Sequence, residues 1–137
     1  MSLSPKIENI AEIPASALAY IGDAVYEMQI RLHYLRPPRT AKQYHQLVVS
    51  QVRAEQQAKL LEKLDLTDLE SDLVRRGRNA AGSAPRKVDP SIYQKATGFE
   101  ALIGYLYLTD RDRLDQIFIQ LLSHIETQSP PWQRNLN

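Results

Sequence analysis

Apolar residues along this chain recur at intervals of three and four, and nowhere do they alternate for the length of a strand. The densest run is Ala17-Leu-Ala-Tyr-Ile-Gly-Asp-Ala-Val-Tyr-Glu27. At 3.6 residues per turn it sets Ala17, Ile21, Ala24 and Met28 on one stripe and Leu18, Val25 and Leu32 on a second. That predicts a helix apolar round most of its circumference and running through the middle of the fold. Pro14 suits its first turn, and the helix should continue to about Leu35 and end at Pro37-Pro38. Thr40 is an N-cap for a long helix to about Leu64, with Tyr44, Leu47, Val48, Ala54, Ala58 and Leu61 facing inward. Thr67-Asp-Leu-Glu70 is a capping box that opens a short helix, expected to stop at Gly77. Asp89 as N-cap and Pro90 in the first turn restart a helix that ends near Leu108. Thr109-Asp110 caps the last one, striped by Leu114, Ile117, Phe118, Leu121, Leu122 and Ile125. Residues 1–13 and 129–137 carry no period and should be loose. With no hairpin turns and no internal repeat, the expectation is an all-α fold of five or six helices in one domain spanning 1–137.

Two of these helices each contain an acid where packing alone would favour an aliphatic. Asp23 sits in the first apolar block, and Glu100 is the single acid of Ala96-Thr-Gly-Phe-Glu-Ala-Leu-Ile-Gly-Tyr-Leu-Tyr-Leu108. An embedded acid commonly pairs with an Arg or Lys of a neighbouring helix. The glycines point elsewhere: of five in the chain, Gly22, Gly98 and Gly104 fall inside these two blocks, although each costs about 1 kcal/mol against alanine in a helix interior. Close backbone approach beside the acids would account for them. Glu27 lies one turn beyond Asp23, roughly 5–6 Å away by helix geometry, and could share a ligand with it.

Composition excludes several functions. There is no cysteine, so disulfides and thiolate metal sites are ruled out. His33 and His45 have no second histidine or acid at ligand spacing and read as cap or surface residues. No apolar run approaches the ~18 residues of a membrane span and the N-terminus lacks a signal-peptide core, so the expected address is the cytoplasm. Net charge is only +1, but it is unevenly distributed. Arg31, Arg36, Arg39, Lys42 and Arg53 lie between Glu27 and Glu55 with no intervening acid. The segment Arg75-Arg-Gly-Arg-Asn-Ala-Ala-Gly-Ser-Ala-Pro-Arg-Lys87 has five cations and the small residues of a mobile loop. Two basic segments in one small domain suit a phosphate backbone. Phosphodiester hydrolysis commonly uses Mg²⁺, which takes hard oxygen ligands, and Asp23 and Glu100 would supply two if the fold crossed their helices.

Tyr-Ile-Gly-Asp-Ala-Val at 20–25 and Phe-Glu-Ala-Leu-Ile-Gly at 99–104 resemble the two catalytic signatures of the ribonuclease III endonuclease domain. The similarity spans about residues 14 to 127. It is greatest to the short branch, Mini-ribonuclease III, which lacks a double-stranded RNA-binding domain; Gly-Asp-Ala-Val-Tyr-Glu, Arg76-Gly-Arg-Asn79 and the end of the chain at 137 carry that likeness. The resemblance implies a ribonuclease III-like helical bundle. It also implies a Mg²⁺-dependent homodimeric endoribonuclease acting on double-stranded precursor RNA of the large ribosomal subunit and leaving 5′-phosphomonoesters. Asp23 and Glu100 would be its catalytic acids and metal ligands, and Arg75, Arg76, Arg78, Asn79, Arg86 and Lys87 its RNA contacts.

Larger members of the family carry further acids at the positions of Ala19 and Thr97. Their absence here leaves two acids where those relatives have four, with Glu27 as the nearby candidate for a third ligand. Two other classes are open to the sequence: a catalytically silent RNA-binding assembly factor, and a helical interaction module. Both acids beside their glycines speak against the first, and the basic segments against the second.

Overall fold

The structure is a computed structural model that describes residues 7–133. A 3-10 turn at Ile10–Glu12 leads into six helices: α1 Ala15–His33, α2 Ala41–Val52, α3 Ala54–Glu62, α4 Asp68–Ala80, α5 Pro90–Thr109 and α6 Arg111–Glu126. The described residues contain no strand, so the fold is all-α as the periodicity predicts.

The helix at the centre is α5 rather than α1. It packs on α1, α3, α4 and α6 and buries Phe99, Ala101, Leu102 and Ile103 completely. By contrast α1 buries one stripe, Leu18, Ala19, Gly22, Tyr26 and Ile30. The stripes expected to be internal face outward in part: Ala24 is exposed, and Met28 and Leu32 are 57% and 53% exposed. The reason is the crossing itself. Leu18, Gly22, Tyr26 and Ile30 recur every four residues, and that narrow row follows the groove of α5.

Glycine sets the depth of the crossing. A Cβ on Gly22 would stand 1.7 Å from the carbonyl oxygen of Glu100, and one on Gly104 would stand 1.9 Å from that of Leu18. Gly77 and Gly98 do the same between α4 and α5: a Cβ on Gly77 would lie 2.8 Å from the Cα of Gly98. Gly77 is therefore a packing residue inside α4 and not its stop, and the helix runs three residues further, to Ala80.

The expected long helix from Thr40 is two helices, broken at Arg53, whose ψ of 148° is extended. Tyr26, fully buried, donates its hydroxyl hydrogen to the carbonyl of Gln51 at 2.9 Å. In a continuous helix the amide of Glu55 would take that acceptor. Gln51 is also held through its side chain, which accepts from Gln56 Nε2 at 2.9 Å and donates to Gln128 Oε1 at 3.2 Å. The break shifts the register of α3, so that Leu60 is buried and Leu61 only partly so. Both capping boxes form, at Thr40 with Gln43 and at Thr67 with Glu70, and Asp89 and Asp110 cap α5 and α6.

A part-buried ion pair ties α4 to α6. Arg113 donates to both Glu70 carboxylate oxygens, at 2.7 and 2.9 Å, and to the Asp65 carbonyl at 2.9 Å. These bonds hold the Glu70 carboxyl below its ordinary range. Ile10 and Ile13 pack on Leu18, Ala19 and Ala101, covering one end of the α1–α5 seam. Gln133 donates its backbone N–H to Pro130 at 3.0 Å, forming a turn. Residues 1–6 and 134–137 lie outside the described residues.

Candidate active site

The α1–α5 crossing brings the two embedded acids together. Gly22 rests against the backbone of Glu100, so the next residue, Asp23, lies beside the Glu100 side chain and the two carboxyl groups hydrogen-bond. Asp23 is exposed at the rim and Glu100 is half-buried behind it. Burial, then the hydrogen bond and negative charge of Asp23, push the Glu100 carboxyl up to about 8. Two carboxyl groups in contact favour sharing a proton, and a divalent cation with hard-ligand preference satisfies the same oxygens without it.

Both acids line a cleft of about 230 Å³. Ala19 and Thr97, which stand where larger relatives carry acids, line it too, so all four positions converge. Thr97 turns its hydroxyl hydrogen to the Tyr93 carbonyl at 3.0 Å. Tyr20 stands at the mouth, 79% exposed, and Ala80, Ala81 and Gly82 form the wall that α4 and the residues after it supply. Among the described residues no third His, Cys, Asp or Glu joins the pair. Glu27 faces elsewhere: it meets Arg31 at 3.2 Å and lines a separate groove between α1 and α2.

The segment expected to be a basic loop is half helix. Arg75, Arg76, Arg78 and Asn79 belong to the last turns of α4, while Arg86 and Lys87 lie in the 81–89 connection. The sequence suggested a loop because glycine and small residues dominate it; tight α4–α5 packing overrides that preference at Gly77. All six residues are exposed. Arg76 sits one turn before Ala80, on the face of α4 bordering the cleft. Arg75 and Arg76 pair with Asp72 at 2.6 and 3.4 Å. Such solvent-exposed pairs are weak enough to yield to a phosphate.

Sequence reasoning missed Gln57. It is 2% exposed on α3, and it pulls the Glu100 carboxyl back toward its charged form. The signal was weak: Gln57 lies three residues after Ala54 and four before Leu61, at the edge of the expected inward stripe, where a glutamine is more often solvated.

Comparison with known proteins is consistent with these features. Residues 16–111 match the family model described as the Ribonuclease III domain. The chain belongs to the ribonuclease III family of endoribonucleases. Within that family its relatives are Mini-ribonuclease 3 proteins: it is 48% identical to that of Thermosynechococcus vestitus over 93% of this chain and 86% of the relative. It is 51% identical to that of Synechocystis sp., over 83% and 79%. Among solved structures it resembles a Fusobacterium nucleatum protein, with a TM-score of 0.76 and 27% identity over 88% of this chain and 99% of that one.

Proposed function

We propose that this endoribonuclease cuts double-stranded RNA by Mg²⁺-dependent hydrolysis centred on Asp23 and Glu100, in the maturation of large-subunit ribosomal RNA. The meeting of two carboxyl groups from distant parts of the chain, at a glycine crossing and in an open cleft, carries the reading. Asp23 and Glu100 would hold the ion through hard oxygens. When bound, it supplies Lewis-acid charge to the scissile phosphate and acidifies water. Ala19 and Thr97 leave more of the coordination shell to water than four acids would. The rigid α1–α5 contact fixes both carboxylates on helices rather than loops, which limits their wandering during the reaction.

Arg75, Arg76, Arg78, Asn79, Arg86 and Lys87 would grip phosphates beside the cleft. A-form duplex RNA exposes phosphates and 2′-hydroxyls more readily than base edges, so an exposed cationic helix end suits it. A second copy of the chain completes the reading. Met28, Leu32, Leu35 and Val49, between 39% and 57% exposed, form an apolar surface on α1, α2 and the connection between them that a twofold partner would cover. Two equivalent sites then address the two strands. The ribosomal substrate rests on the family resemblance, and so does the cytoplasm as the site of action; no helix of the described residues is long and apolar enough to cross a membrane.

The test is cleavage of duplex RNA with and without Mg²⁺ by the wild type, Asp23→Asn and Glu100→Gln. Cutting only by the wild type, only with the ion, and with duplex binding retained by both variants is the expected result. Near-normal turnover by either variant would overturn the assignment.

A further inference from the structure

The buried face of α3 holds a donor that the fold itself does not use. Gln57 is 2% exposed, and its Nε2 has no hydrogen-bond partner of normal geometry among the described residues. An unsatisfied buried amide costs about 1–3 kcal/mol, so packing alone would favour an apolar side chain of similar volume. The adjacent glutamines differ. Gln56 and Gln51 are joined to each other, and Gln51 further to Ser50 and Gln128. That network fixes the start of α3 and leaves Gln57 a rigid mount. Its amide acts on Glu100, and Gln57, buried, is not among the residues that line the cleft Glu100 shares with Asp23.

We infer that Gln57 is a positioning residue, its side-chain amide set to close a hydrogen bond to the Glu100 carboxylate when that carboxylate binds a divalent cation. This rests on the two-acid reading of the site. A carboxylate that ligates a cation is commonly oriented by a hydrogen bond from behind, and loss of such a partner lowers metal affinity or activity about 10–100-fold. One Glu100 oxygen is then held by α3, and the other faces Asp23 and the cleft. The Gln57 donor, which acts on Glu100 without a hydrogen bond of normal geometry, would be fully satisfied by a carboxylate held in place by a cation.

Two measurements test this. In wild-type protein labelled with ¹⁵N, the Gln57 side-chain amide should shift and exchange more slowly as Mg²⁺ is added. Gln57→Met keeps the volume and removes the donor. It should fold with an ion-free melting temperature equal to or above wild type. It should also bind Mn²⁺ about tenfold more weakly, and cut duplex RNA with lower kcat at unchanged KM. Amide resonances unmoved at saturating Mg²⁺ would overturn the inference. So would a Gln57→Met variant with Mn²⁺ affinity and kcat within about twofold of wild type. Glu100→Gln separates the failures. If it loses Mn²⁺ while Gln57→Met retains it, only the role of Gln57 falls; if Glu100→Gln binds Mn²⁺ as the wild type does, the two-acid reading falls and the inference with it.

Discussion

Glu100→Gln should inactivate the enzyme and, without metal, stabilise it. The replacement is isosteric, and its amide can donate to Asp23 while its oxygen accepts from Gln57. What it removes is a carboxyl group that burial and Asp23 push from 4.5 up to about 8. The folded protein therefore holds that proton to higher pH than the unfolded chain does. Stability is fully present below about 4.5 and is lost as pH rises through about 8. Each pH unit between those values corresponds to about 1.4 kcal/mol, which sets a ceiling near 5 kcal/mol. Glu100 lies in an open cleft, and solvent screening there reduces the expected effect to about 1–2 kcal/mol.

Thermal unfolding of metal-free wild type and variant reads this directly. The two midpoints should nearly coincide at pH about 4.5 and separate by about 3–8 °C in favour of Glu100→Gln at pH about 8.5. Mg²⁺ should then raise the wild-type midpoint and leave the variant where it was, since a ligand stabilises only the state that binds it. Cleavage should be lost in the same variant. A midpoint difference independent of pH, or equal stabilisation of both proteins by Mg²⁺, would refute the argument that the pair is a strained cation site.

Other perturbations address the remaining parts. Arg76, Arg78 and Arg86 changed together to Ala should weaken duplex binding and flatten its salt dependence, by somewhat under one unit of log slope for each phosphate no longer engaged, with little change in unfolding; an unchanged slope would remove α4 and its following loop from the interface. Leu32→Asp, placing a charge on the apolar α1–α2 surface, should yield a monomer by sedimentation at micromolar concentration, and a dimer that persists would relocate the interface. Gly104→Ala should cost at least about 3 kcal/mol in denaturant titrations, because its Cβ would meet the Leu18 carbonyl at 1.9 Å, whereas Gly82→Ala, with nothing within 4 Å, should be neutral or slightly stabilising. Arg113→Met should destabilise by about 2–3 kcal/mol near neutral pH; because Glu70 is held below its ordinary range, that difference should shrink as pH falls below about 4.

What the sequence disclosed and what it concealed divide along a physical line. Helix starts were legible because caps are local: Thr40, Thr67, Asp89 and Asp110 each bond to an amide within three residues. The acids were legible as anomalies, and the glycines beside them as a requirement for space, since both break the local preference of an apolar helix. The break at Arg53 was not, for it depends on a hydroxyl arriving from Tyr26 on another helix. Gln57 was missed for another reason: a glutamine beside Ala58 on a mixed helix reads as a flank of the stripe, and its burial against α5 is a tertiary fact. Gly77 misled for the opposite reason: a glycine near a helix end favours a stop, yet here the close approach to Gly98 uses its missing side chain and leaves its backbone helical. The apolar excess of α1 was visible, but its assignment to the interior was not supported, because a sequence does not distinguish a face buried by the chain's own core from one that awaits a second copy. Met28 and Leu32 lie on that face: the chain's own core leaves them exposed, and the oligomeric state of the Leu32→Asp variant tests whether a second copy covers them.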